Sequence, residues 1–272
     1  MGLNKNELIL DKVRSLTAHE LSTDGVGGKM LFRLTSLEEP TLSCTAEGEE
    51  VVDAVGSLIT TLYRAKKATF SANNSLISLD LAAAQYGTKK EMGEVTDYAY
   101  DVIKVDGATS VKLSHKAIDG SIIYIYGVEG GQIGTTYKYE LTENAGETTF
   151  TVSEGKNEEG KDVTVINLPT KFAESKVYVE YTYKNENAMR VVNKASSFPS
   201  ACSVVIYAYF KDVCDENIVY SGKIICPKAK LNPEQVELAL TSTGKHAFEF
   251  TMMRDYCSEE GEDELFSIIV SE

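Results

Sequence analysis

Segments that alternate apolar and polar residues recur along almost the whole chain of 272 residues, and this pattern constrains the fold more than any other feature. Residues 247–253 show it most clearly, because Phe248, Phe250 and Met252 alternate with polar neighbours. Such alternation is typical of a strand with one buried and one solvent-facing side. Turn signals such as Asp119-Gly120 separate the segments, so the sequence predicts a mostly β protein. The predicted strands are residues 30–35, 41–46, 58–63, 68–72, 100–105, 110–113, 122–126, 135–141, 148–152, 163–167, 176–183, 202–210, 218–226, 236–240, 247–253 and 265–270.

Two predicted elements follow each other in the first third of the chain. Strands 58–63 and 68–72 flank the short polar stretch RAKK, which predicts a β-hairpin that turns at residues 64–67. Residues 75–86 have the period of a helix, with Asn74 or Ser75 as the N-cap and Gly87 at the C-terminal end. We expect none of the five prolines to interrupt a central strand.

The spacing of the strands divides the chain. From residue 95 to residue 187 the strands are short and regularly separated by turns, which is typical of a β-sandwich or barrel layer. The sequence therefore predicts an inserted, smaller β-rich domain at 95–187, with an immunoglobulin-like sandwich as one candidate. Residues 1–94 and 188–272 are predicted to form a discontinuous β-sandwich or barrel core with one helix.

The charge of the chain excludes two classes of function. A net charge of −14 argues against a protein that neutralises nucleic-acid phosphates and against docking on an anionic membrane surface. Seven acidic residues and one arginine lie between positions 254 and 272, and we interpret this segment as a solvated acidic loop. The polar N-terminus predicts no signal peptide, and the apolar runs are too short to span a membrane. Five cysteines without paired spacing predict an intracellular protein whose thiols are reduced and mostly buried.

No pattern in the chain indicates catalytic chemistry. His19, His115 and His246 are isolated from one another and from metal-ligand spacing, and we expect His246 to lie on the surface. Cys202 lies in an apolar strand, and no nucleophile elbow is present. The sequence therefore predicts no catalytic, cofactor-binding or metal site, and no enzyme.

Two regions resemble the phage major tail proteins that build the tail tubes of long-tailed phages and related tail-like particles. Residues 55–72 read VGSLITTLYRAKKATFSA, which is similar to the inner hairpin of that family, and the small-residue helix LISLDLAAAQYG follows. In the C-terminal part, GKII, PKAK, VELAL and GKHAF occur in the same order as similar runs in tail proteins. The resemblance covers about residues 1–95 and 190–272, and residues 95–187 have no counterpart in it.

The resemblance implies a structural virion protein that assembles with copies of itself. Such subunits form hexameric rings whose inner sheets join into one β-barrel around a channel for DNA, and the rings stack into a tube. The implied partners are the chain itself and the tape-measure, tail-terminator and baseplate proteins, while DNA passes without specific binding and no membrane or cofactor takes part. The implied location is the virion tail, assembled in the cytoplasm of the host bacterium. The candidate inter-subunit contacts are Leu58, Thr60, Leu62, Arg64, Lys66, Lys67, Thr69 and Phe70, with the two lysines reaching acidic residues of a neighbour.

Two other functions stay open at this point. A different virion protein, such as a capsid decoration or tail-terminator subunit, would share the β content but would not need the hairpin and helix. A carbohydrate-binding adhesive module would need an aromatic platform, and Tyr124, Tyr126, Tyr137 and Tyr139 alternate in a way that could form one. The absence of tryptophan counts against that function.

Overall fold

The computed structural model describes residues 7–21, 28–144, 146–215, 217–241, 244–254 and 264–271, without the side chains of 134–137 and 235. Sixteen strands, one α-helix and one short 3₁₀ segment make up this part of the chain, which confirms the prediction of a mostly β protein with one helix. The strands are β1 Leu8–Glu20, β2 Met30–Leu34, β3 Leu37–Val52, β4 Leu58–Asn74, β5 Glu91–Lys104, β6 Ser110–Lys112, β7 Tyr124–Glu129, β8 Gln132–Leu141, β9 Thr149–Lys156, β10 Asp162–Asn167, β11 Lys176–Arg190, β12 Ala201–Asp212, β13 Val219–Leu231, β14 Glu237–Leu238, β15 His246–Met252 and β16 Ser267–Ser271. The α-helix, α1, is Leu79–Tyr86, and the 3₁₀ segment is Pro233–Gln235.

The chain divides into two compact units, residues 1–90 with 191–272 and residues 91–190. Whether residues 91–190 fold by themselves, as a true inserted domain, stays a prediction.

The first unit is one large antiparallel sheet that curves into a nearly closed barrel. Its strands follow the order β2-β1-β12-β13-β15-β4-β3, with β14 beside β15 and β16 beside β13. The predicted alternation in β15 is confirmed, because Phe248, Phe250 and Met252 are buried while their neighbours are partly exposed. These side chains pack with residues of β1, β2, β4, β12 and β13 in one apolar core.

Helix α1 packs against this core through Leu81, and it begins at a later residue than predicted. The side chain of Ser78 caps it by accepting a hydrogen bond from the Leu81 amide at 3.2 Å, so neither Asn74 nor Ser75 is the cap. Asn74 is instead the last residue of β4, because it pairs with β15. The C-terminal end is as predicted, at Gly87 in the left-handed conformation.

His246 fastens the helix to the sheet, and the prediction of a surface position was wrong. The imidazole is fully buried; its Nδ1 accepts from the Ser78 amide, and its Nε2 lies 2.6 Å from Oε1 of Gln85. The Gln85 amide nitrogen donates in turn to the carbonyl of Ala247 at 3.0 Å. Burial lowers the pKa of His246, so the ring is neutral and donates from Nε2.

Two further predictions about this unit need correction. No strand was predicted before residue 30, yet β1 is a long strand paired with both β2 and β12. Pro227 does lie inside the interior strand β13, where Pro227 and Lys228 together oppose Ser203 of β12. Such a bulge leaves one residue unpaired, so the missing N–H of proline costs the ladder nothing.

Two of the four cysteines that the structure describes have buried thiols, and the other two are exposed. Cys202 and Cys226 are buried, which raises the pKa of each to about 12, whereas Cys44 and Cys214 are exposed. Cys257 and residues 255–263 of the predicted acidic loop lie outside the described residues, whereas Ser267–Ser271 of the same segment form β16.

The second unit is a seven-stranded sheet in the order β5-β11-β7-β8-β9-β10-β6, curved around its own core. Residues such as Ile125, Phe150 and Val179 fill this core. Tyr139 also belongs to it, so the four alternating tyrosines do not all contribute to one exposed platform. The side chain of Tyr137 lies outside the described residues.

Candidate assembly surface

The long hairpin of the first unit is made by β3 and β4, not by two halves of residues 58–72. Strand β4 continues without a turn from Leu58 to Asn74 and pairs with β3 along its length. The real turn is residues 53–57, where one carboxylate oxygen of Asp53 accepts from the amides of Val55 and Ser57 at 3.0 and 2.7 Å. Gly56 supplies the positive φ of 84° that this turn needs.

The polar residues 64–67, predicted as a turn, contain a β-bulge. Ala65 and Lys66 together oppose Ala46 of β3, and Ala65 has a φ of 49°. Because side chains alternate along a strand, an extra residue changes which positions of β4 face the core side. On the side of the bulge toward Asn74, the even-numbered residues Ala68, Phe70 and Ala72 are buried. On the side toward Leu58, the odd-numbered positions lie on the same face of the sheet as these three residues.

The two halves of the hairpin have different surroundings. From Ala68 to Asn74, β4 is paired with β3 on one side and β15 on the other. Two of the candidate contact residues, Thr69 and Phe70, lie in this half, and Phe70 is buried in the core of its own unit. Phe70 therefore supports the hairpin from within rather than presenting a surface.

Beyond the bulge the hairpin is a two-stranded ribbon with apolar side chains exposed on it. Tyr63 is 74% exposed and Val55, in the turn, is 86% exposed. A ribbon of two strands is marginally stable in water, and a cluster of exposed apolar side chains marks an interaction site. The other large apolar side chains exposed on this part are Val52, Leu58, Ile59 and Leu62.

The register places three of the candidate residues on one face of this ribbon. Thr60, Leu62 and Arg64 lie opposite Val51, Glu49 and Glu47, and Arg64 forms an exposed ion pair of 2.6 Å with Glu49. An exposed pair of this kind contributes little to stability, which leaves both charges available to a partner. Lys66 lies in the bulge and Lys67 beside it, both exposed.

The opposite face of the ribbon carries Tyr63, which was not among the candidate contacts. Tyr63 pairs with Gly48, and its ring packs over the glycine. If Gly48 had a Cβ atom, that atom would lie 3.4 Å from Cε1 of Tyr63. A period of two, continued from Phe70 without the bulge, would assign Tyr63 to the wrong side. The available signal was the two pairs of apolar residues at 58–59 and 62–63, because two successive apolar residues leave neither face of a strand polar.

Strand β3 is the last strand of its sheet, so one of its edges has no partner strand among the described residues. Unpaired amides and carbonyls on an edge of 16 residues can pair with a strand of another chain. An acidic groove of about 630 Å³ lies on the same unit, lined by Glu39, Glu234 and Glu237 together with residues of β4 and β15.

Two general features of the described residues complete the description of the site. No three His, Cys, Asp or Glu side chains are grouped closely enough in the described ranges to hold a metal ion. Within those ranges, no helix has the length and apolar character to cross a membrane.

The fold and the hairpin define a β-rich protein with an exposed ribbon that carries large apolar side chains. The profile of the YomU/Tube protein family matches residues 17–261, and the chain belongs to that family. This confirms the family resemblance drawn from the sequence, to phage tail tube proteins, and makes the chain a virion component. The match also runs through residues 95–187, for which the resemblance had offered no counterpart. None of the curated proteins compared with the chain is significantly similar to it.

Proposed function

We propose that this chain is the subunit of a phage tail tube, which assembles into hexameric rings stacked around a channel for DNA. One observation carries the proposal: the half of the β3–β4 hairpin beyond the bulge leaves its core and exposes large apolar side chains, with Tyr63 74% exposed. Family membership supports it. Burying such side chains against a neighbour removes apolar surface from water, at roughly 25 cal/mol per Å². The role is structural and involves no catalysis.

The ribbon contacts a neighbouring copy through its apolar residues and its basic residues. Leu58, Thr60, Leu62 and Arg64 form the contact together with the missed Tyr63. Lys66 and Lys67 reach carboxylates of a neighbour, for which Glu234 and Glu237 of the acidic groove are the best placed by charge. The unpaired edge of β3 adds main-chain hydrogen bonds between subunits, because closing a ring removes free edges.

The net charge of −14 fits a channel through which DNA moves without sticking. Carboxylates that face a channel repel phosphates, whereas clustered lysines would bind them. The tape-measure, tail-terminator and baseplate proteins are the further partners in this proposal. The tube assembles in the cytoplasm of the host bacterium.

Electron microscopy of the purified chain tests the proposal. We expect stacked rings or tubes with a central channel at high concentration, and mass photometry should detect ring-sized oligomers at lower concentration. Leu62→Asp places a charge in the proposed contact and should abolish the oligomers. Leu240→Asp is the matched control, because Leu240 is 86% exposed outside the hairpin. Rings that form equally well from both variants, or a chain that stays monomeric at every concentration, would contradict the proposal.

Charge reversal tests the contact of the lysines separately. Reversing Lys66 and Lys67 to Glu should weaken assembly by about tenfold or more in critical concentration, since like charges across an interface are strongly unfavourable. Glu234→Lys with Glu237→Lys should have the same effect, and a mixture of the two double variants should assemble again. If each double variant assembles normally, the lysines do not reach this groove, while the tube itself remains possible.

A further inference from the structure

The outward face of the second unit carries a cluster of tyrosines. Along β5, the even-numbered residues face away from the core, and Tyr98 and Tyr100 are 85% and 67% exposed. Tyr178 of β11 lies next to Tyr100, with ring centroids 5.8 Å apart. Tyr126 of β7 pairs with Tyr178 in the register, and their centroids are 6.3 Å apart. Rings from three neighbouring strands therefore form one continuous aromatic surface.

A carboxylate lies within this aromatic surface. Glu180 of β11 pairs with Tyr100 of β5 and accepts a hydrogen bond from the hydroxyl of Tyr178. That hydrogen bond, with partial burial, raises the pKa of Tyr178 to about 12, so the tyrosine keeps its proton. Among the described residues, no lysine or arginine lies within salt-bridge distance of Glu180. The charge of Glu180 is therefore free to attract a cation.

Glu180 is one of the residues that line a shallow groove of about 250 Å³. Tyr98, Tyr124 and Tyr126 contribute aromatic side chains to this groove, and Thr182 also lines it. The groove is concave, tyrosines are half of its lining residues, and it has one charged group, which is the composition of a small-ligand site. Its volume suits a group of a few heavy atoms rather than a folded partner.

A cation of the chain itself already lies on one of these rings. The ammonium group of Lys138 on β8 lies over the ring of Tyr124, 3.5 Å from the ring centroid. A cation placed over a tyrosine face is attracted by the negative face of the π system. The ammonium group of Lys138 covers one face of the Tyr124 ring, whereas the rings of Tyr98 and Tyr100 are largely exposed.

We propose that the tyrosine face of the second unit, Tyr98, Tyr100, Tyr124, Tyr126 and Tyr178 around Glu180, is a binding site for an alkylammonium group. The rings surround the cation and Glu180 balances its charge, as in aromatic cages that hold methylated ammonium groups. A neutral sugar would stack on the same rings but would gain nothing from the carboxylate. This site is distinct from the hairpin, and it does not depend on tube assembly.

A ligand titration of the full-length chain with isotope-labelled tyrosine rings tests the proposal by nuclear magnetic resonance. The probes are tetramethylammonium, n-butylammonium, glucose and 3,3-dimethylbutan-1-ol, which is a neutral compound with the shape of choline. We expect both ammonium probes to shift the ring signals with a Kd of about 1 mM, and the neutral probes to bind at least tenfold more weakly. Tighter binding of n-butylammonium would indicate a primary amine as the natural ligand, and tighter binding of tetramethylammonium a quaternary one.

Three variants separate the cation site from nonspecific binding. Glu180→Gln keeps the shape of the side chain and should weaken ammonium binding by about three- to tenfold, whereas Glu158→Gln, in the turn between β9 and β10, should leave it unchanged. Lys138→Met should strengthen binding by about two- to fivefold, because it frees the ring of Tyr124.

Two results would overturn the assignment. One is the absence of ring shifts up to about 100 mM ammonium probe, a hundred times the expected Kd. The other is equal binding of the neutral and charged probes, which would assign the face to neutral ligands such as sugars.

Discussion

Replacing Gly87 with alanine should destabilise the first unit far more than the same change at another left-handed glycine. Gly87 ends α1 with a φ of 64° and a ψ of 31°, and its amide closes the last turn of the helix. The segment after β11 passes directly beside it. A Cβ added at Gly87 would lie 2.1 Å from the carbonyl oxygen and 2.4 Å from the carbonyl carbon of Phe198. Both atoms are backbone, so no side-chain rotation can relieve the clash.

The cost of this substitution has two parts. An alanine in the left-handed conformation costs about 1–2 kcal/mol. Forcing the backbone at Phe198 to move adds about 1–3 kcal/mol, as overpacking does elsewhere in proteins. Gly56→Ala is the matched control, because Gly56 also has a positive φ, of 84°, but no atom lies within 4 Å of its added Cβ. The lower entropy of the unfolded chain favours both alanine variants equally and cancels in the comparison.

Urea unfolding of both variants measures this difference. The unfolding should be followed by circular dichroism at a concentration at which the chain is monomeric, because assembly would add its own stabilisation. We expect Gly87→Ala to lower the free energy of unfolding by about 1–3 kcal/mol more than Gly56→Ala does. Equal losses in the two variants would show that the backbone at Phe198 does not press on Gly87, and would refute the reasoning.

Two other predictions concern the buried histidine and the second unit. Because the pKa of His246 is lowered on folding, the unfolded chain takes up a proton near pH 6.5 that the folded chain does not, so stability should fall as the pH decreases below about 6.5. Urea midpoints at pH 7.5 and 5.5 should differ less in His246→Gln, and an unchanged difference would assign the pH dependence to other groups. Residues 91–190 expressed alone should unfold cooperatively on heating, since they contain their own core. A fragment without a thermal transition would show that the inserted domain does not fold independently.

The sequence predicted local periodicity well and strand pairing poorly. The alternation around Phe250 and the helix end at Gly87 depend on neighbouring residues, and both were correct. The helix start was wrong because Asn74 is drawn into β4 by pairing with His246, a residue distant in sequence. The residues next to Asn74 in sequence do not indicate that its pairing partner is His246. The turn at Asp53 and Gly56 did have a local signal, but the polar residues 64–67 were given more weight.

The candidate contact residues all lie on strand β4, but the predicted hairpin with its turn at residues 64–67 was wrong. Leu62 and Arg64 lie on one face of the exposed half of the β3–β4 hairpin, and their role in a contact stays a prediction. The bulge at Ala65 reverses the alternation, so the candidate residues, which were proposed without a bulge, mix core and surface, as Phe70 shows. A bulge depends on the register of both strands, which the sequence of one strand does not contain.

The same strand that fills the core also presents the proposed contact, and this continuity has a mechanical consequence. From Ala68 to Asn74, β4 is held between β3 and β15, so the exposed ribbon begins at a rigid point of the sheet. A free two-stranded ribbon would bind a neighbour at the cost of ordering its backbone, about 1–2 kcal/mol for each residue fixed. Anchoring on one side lowers that cost, because the register and direction of the ribbon are already set by the core. The affinity between subunits should therefore depend on core residues such as Phe70 that never touch a neighbour, and a core variant that loosens β4 should weaken assembly before it unfolds the chain.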